Sequence, residues 1–74
     1  MHINSEIKAQ EAIDKWQSEP PRAQLRFIKE AIDSLEMSCM YYDQKGNKKG
    51  TSRCEKCLDI LKARAAEVEK NLTS

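Results

Sequence analysis

An all-α fold is what this sequence predicts, a coiled-coil-like antiparallel helical hairpin preceded by a shorter helix, and three observations point to it. Apolar residues recur at alternating spacings of three and four along two long segments. Gly and Pro, two of each, are confined to positions 20, 21, 46 and 50. The two apolar rows also share a single pairing register, set out below. A chain of 74 residues has room for one domain, 1–74, and buries little enough apolar surface that some reinforcement is expected, whether a regular helix seam, a disulfide, a metal or a second copy of the chain.

The first helix is expected over about 5–17, because Asn4, Ser5 and Glu6 supply capping oxygens and an early negative charge. Its apolar stripe is poor. Ile7 and Ile13 do not line up on a 3.6-residue period, while Ala9, Ala12, Ile13 and Trp16 form a second, partly overlapping face. Pro20 and Pro21 stop that helix, and Pro21 suits the first position of the next.

The second helix is expected over about 21–45, carrying the row Leu25, Ile28, Ile32, Leu35, Cys39 and Tyr42. Gly46 can adopt the left-handed conformation that ends a helix, and the residues from Asn47 to Gly50 read as a polar loop. Ser52 followed by Glu55 matches a capping box, so the third helix is expected over about 52–72 with the row Cys54, Leu58, Leu61, Ala65, Val68 and Leu72. Facing residues of an antiparallel hairpin have a constant total of sequence numbers. Cys39 with Cys54, Leu35 with Leu58, Ile32 with Leu61, Ile28 with Ala65 and Leu25 with Val68 all total 93, which places the fold point between Gly46 and Asn47. The first helix then covers the remaining face, giving a three-helix bundle, or two hairpins pair as a helical dimer; the short connection from Ser18 to Pro21 favours the bundle.

Composition excludes some functions. Thirteen basic residues against twelve acidic ones leave a net charge of +1, so no whole-surface attraction to nucleic acid or anionic lipid is expected. No apolar run reaches the roughly 20 residues of a membrane span, and Met1-His2-Ile3-Asn4 lacks the character of a signal peptide, so a cytoplasmic protein without membrane association is expected. Three cysteines in such a chain read as reduced thiols, and the Asn71-Leu72-Thr73 sequon reads as chance.

Candidate sites are few. Cys54 and Cys57 have the spacing of zinc and thiol-disulfide motifs, and the register puts Cys39 beside Cys54 at the loop end, where His2 would complete a tetrahedral set. One CxxC motif is weak evidence, and Cys39 and Cys54 already serve the seam as small apolar residues, so filling the core is the first reading and zinc the lesser one. A thioredoxin-like enzyme would need a strand before the motif, which is missing; a reactive thiolate at Cys54, in the first turn beside Arg53 and Lys56, would need an exposed sulfur. Lys45, Lys48, Lys49 and Arg53 gather near the loop, where they could meet phosphate or an acidic protein surface or be there for solvation alone. Trp16 and Tyr41 are candidate interface anchors, with bridging of the first helix to the hairpin as the alternative. No nucleophile has an identifiable base, and pairs such as Asp59 with Lys62 read as solvated surface, so no enzyme and no cofactor are expected.

These observations make the chain a small non-enzymatic binding protein, an adaptor or inhibitor that meets a protein partner, or a second copy of itself, through a helical face or the basic tip. The alternatives are a zinc-stabilised nucleic-acid-binding module built on Cys39, Cys54, Cys57 and the loop lysines, and a thiol redox sensor.

Overall fold

The computed structural model describes residues 3–73, leaving aside the Thr73 side chain, and within them the chain forms three helices: α1 (Glu6–Trp16), α2 (Pro21–Gln44) and α3 (Lys48–Thr73). α2 and α3 are the antiparallel hairpin, and α1 folds back on it to make a three-helix bundle, lying mainly against α3. The molecule is a rod of about 42 × 20 × 14 Å. The 24 residues of α2 extend for about 36 Å at 1.5 Å each, most of that length.

Each helix begins for a local reason. Ser5 caps α1, its hydroxyl accepting the Lys8 N–H at 3.2 Å. Pro21 opens α2, and the corner before it is tied by Gln24, a buried polar residue whose Nε2 donates to the Glu19 carbonyl at 2.7 Å and to that of Gln17 at 3.4 Å. At the far end of α2, Gly46 adopts φ 69°. The Asn47 N–H reaches back to the Tyr42 carbonyl at 2.9 Å and the Gly46 N–H to that of Asp43 at 3.0 Å, which is the Schellman arrangement.

The start of α3 corrects the expected boundary. Asn47, not Ser52, is the cap: its Oδ1 accepts the Gly50 N–H at 2.9 Å and its carbonyl accepts the Thr51 N–H at 3.0 Å. One residue thus closes one helix and opens the next. The expected loop lysines Lys48 and Lys49 stand in the first helical turn, Ser52 and Glu55 are exposed positions inside the helix, and Cys54 lies nearly two turns from the helix start. Gly50 permits this. It is buried, and a Cβ there would lie 2.9 Å from the Tyr42 Cγ and Cδ1 atoms, so the ring of Tyr42 packs against bare backbone.

The hairpin register appears in two independent features. Cys39 and Cys54 are neighbours across the seam, close enough for the Cys54 side chain to raise the Cys39 thiol, as the shared total requires. Two exposed ion pairs cross the interface, Lys29 with Glu69 at 3.5 Å and Glu36 with Lys62 at 3.8 Å, and both have one total, five above that of the seam. That offset is the one an antiparallel heptad pair gives its flanking positions. Lys62 therefore reaches across to Glu36, where the sequence suggested Asp59 on its own helix.

Burial along the rows shows which flank α1 covers. Ile28, Leu35, Cys54, Leu61 and Val68 are almost fully buried, whereas Leu25, Ile32 and Cys39 are only half-buried and Leu72 is exposed. The deep set lies toward α1, whose Ala9, Ala12 and Ile13 are buried against the hairpin; the shallow set lies toward the flank that carries the ion pairs. Ile7, the misaligned residue of α1, is 72% exposed.

Candidate interaction site

The four basic residues near the turn do not converge on one surface. Lys45 is the C-cap of α2, and its Nζ lies 5.7 Å from the centre of the Tyr41 ring. Lys48 faces a shallow groove that it shares with Asp43, Gly46, Thr51, Ser52 and Glu55, so two carboxylates offset its charge. Arg53 lines a different depression, a cavity of about 30 Å³ with Ile3, Asn4, Leu35, Ser38, Tyr42, Cys54 and Cys57. Lys49 is exposed in the first turn of α3. No acidic residue occupies that turn, which leaves the positive end of the helix dipole uncompensated within its own first turn.

The three thiols lie near one another at the same end of the hairpin, on two sides of the seam. Cys39 and Cys54 touch across the seam, while Cys57 is fully buried on the flank beneath α1, close enough to Glu6 to feel its charge. Burial, followed by the Cys54 hydrogen bond and the neighbouring charges, pushes the Cys39 thiol up to about 11. Burial, then the nearby Cys54 and Glu6, also raises Cys57, with Arg53 opposing weakly. Both sulfurs are held as thiols at neutral pH, which suits apolar packing and lowers their reactivity. Among the described residues no three His, Cys, Asp or Glu side chains are grouped so as to hold a metal ion, and the remaining candidate ligand, His2, lies outside those residues.

Of the aromatic candidates, Trp16 is half-buried with its ring 5.8 Å from that of Phe27, joining the end of α1 to the start of α2. Tyr41 is different. It is 57% exposed, edge-on to Tyr42 at 5.8 Å, and flanked by Met37 at 73% and Met40 at 64% exposure. Positions 37, 40 and 41 fall on the outer side of α2, opposite the seam, where a solvated helix ordinarily carries polar residues. The two methionines were not singled out from the sequence. Their signal was available all the same: once the seam is fixed, Met37 has large apolar neighbours three and four positions on, Met40 and Tyr41, on the far side of the helix.

Chemically, this site is an adaptable apolar surface with a cation at one end, since methionine side chains re-pack at little cost against varied partners. The fold and this surface together define a small three-helix bundle with an exposed methionine and tyrosine face. No family model, curated protein or solved structure matches the chain. Among the described residues no helix is long and apolar enough to cross a membrane.

Proposed function

We propose that this protein is a small, non-enzymatic intracellular binding protein, an adaptor or inhibitor, that meets a protein partner through the outer face of α2. The observation that carries this reading is the continuous exposed stripe of Met37, Met40 and Tyr41, beside the Lys45 cation. A single exposed apolar side chain is ordinary, but several side by side on one helix face mark an interaction surface, and a rigid helix presenting a methionine and aromatic row is a common way of seating another helix or a groove. The non-enzymatic part of the reading draws support from the thiols, which burial holds protonated at Cys39 and Cys57.

The test is retention of a host protein on the immobilised chain, compared between the wild type and Met37→Glu. Met37 is 73% exposed and the substitution places a carboxylate within the stripe, so far-ultraviolet circular dichroism should remain unchanged while the retained partner is lost. A partner that binds Met37→Glu as well as the wild type would take the function away from this face.

A further inference from the structure

The outer stripe of α2 has a direction. Glu30 and Asp33 stand at one end, in a shallow groove they share with Arg22, Arg26 and Lys29, with Met37, Met40 and Tyr41 in the middle and Lys45 at the other end, and these six stripe residues are exposed. Among the described residues neither Asp33 nor Lys45 makes a salt bridge within the chain. Lys45, the C-cap just past the end of α2, keeps a right-handed backbone at φ −83° and ψ −4°.

We infer that a second copy of this chain docks on this stripe, with α2 against α2 in antiparallel orientation about a two-fold axis near residue 39. A surface that runs from acid through apolar to base is complementary to its own reverse. Placing Asp33 opposite Lys45 of the second copy puts Met37 opposite Tyr41 of that copy, and the two-fold axis repeats both contacts. The two Asp33 to Lys45 pairs then bracket the apolar middle, about 18 Å apart along the helices at 1.5 Å per residue. A purely acidic or purely basic partner helix would satisfy one end of the stripe and oppose the other, whereas a second copy satisfies both. The patch is small beside the roughly 800 Å² per partner of a stable interface, so the dimer is weak and reversible.

This inference rests on the proposed reading of the α2 outer face and names its partner. Self-pairing and any other partner compete for the same side chains, so the dimer also serves to keep Met37, Met40 and Tyr41 out of water until that partner arrives.

Sedimentation equilibrium from about 10 µM to about 1 mM chain tests it, a range that brackets weak self-association. The wild type is expected to rise from its 8.5 kDa monomer mass toward twice that value. Met37→Glu is expected to stay monomeric throughout. Asp33→Lys and Lys45→Asp should each weaken association about tenfold or more by setting like charges against each other, and the double variant carrying both should recover it. Far-ultraviolet circular dichroism checks that each variant retains its helices. A wild type that remains monomeric to the top of the range overturns the inference, as does a double variant no better than the single ones or a Met37→Glu variant that still dimerises. A monomeric wild type whose host partner is still lost in Met37→Glu would sink self-pairing alone and leave the binding face in place.

Discussion

A methyl group added at Gly50 would sit 2.9 Å from the Tyr42 ring and 3.0 Å from the Asn47 Nδ2, closer than carbon atoms tolerate, and the ring cannot retreat without uncovering the helix start. At Gly46 the same addition meets nothing within 4 Å, but the backbone there stands at φ +69°. The two glycines are therefore needed for different reasons, one for space and one for conformation. Gly46→Ala is expected to cost about 1 kcal/mol through the left-handed backbone alone. Gly50→Ala is expected to cost about 1–3 kcal/mol, as overpacked sites do, despite the gain in helix propensity that alanine brings. Urea unfolding of both variants checks this; a neutral or stabilising Gly50→Ala would mean that Tyr42 does not lie against the backbone. The sequence reads Gly50 as loop because it closes the polar run from Asn47 and because Ser52 with Glu55 is a good capping signal. What it could not weigh was a contact from the preceding helix, since the Tyr42 ring makes residues 48–51 more valuable as helix than as loop.

At the level of helices, α2 and α3 were legible because their rows are long, regular and mutually registered, and register is a property of numbers that a sequence carries in full. α1 was legible as a helix but not in its placement. Its four apolar positions Ala9, Ala12, Ile13 and Trp16 do face inward, yet nothing in their spacing says which flank of the hairpin they cover. That choice follows from the hairpin: one flank offers small or neutral residues such as Ala31, Ser38 and Cys57, and the other carries the charged pairs Lys29 with Glu69 and Glu36 with Lys62. Burying the charged flank would desolvate four ionised groups, which costs far more than exposed pairs of this kind return. The register also predicts a chemical outcome. Glutathione disulfide at mildly alkaline pH should oxidise the two facing thiols, which give up two electrons and two protons to form a Cys39 to Cys54 disulfide within one chain as two glutathione thiols are released. The reaction should be slow, since the Cys39 thiol ionises only near 11. Peptide mapping should find Cys57 free; a Cys54 to Cys57 link as the main product would speak against the facing arrangement.

For the whole molecule, the placement of the basic residues bears on the readings the sequence left open. A phosphate-binding tip needs its cations on one surface, and Lys48 and Arg53 line separate depressions, Lys48 with Asp43 and Glu55 beside it. A zinc site needs three or four convergent ligands, and among the described residues no three His, Cys, Asp or Glu side chains are so grouped, although Cys54 and Cys57 line one cavity. Among the described residues the methionine and tyrosine stripe gathers three of the five exposed large apolar side chains, Ile7 and Leu72 being the others, and it emerges only after the seam has fixed which side of α2 faces outward. Every assignment of face, flank and tip thus depends on the pairing of α2 with α3. Nuclear Overhauser contacts between labelled methyl groups, recorded on a dilute sample, measure that pairing most directly. The fold described here predicts contacts within one chain from Leu35 to Leu58 and from Ile28 to Ala65; their absence, or their appearance only between differently labelled chains, would contradict it.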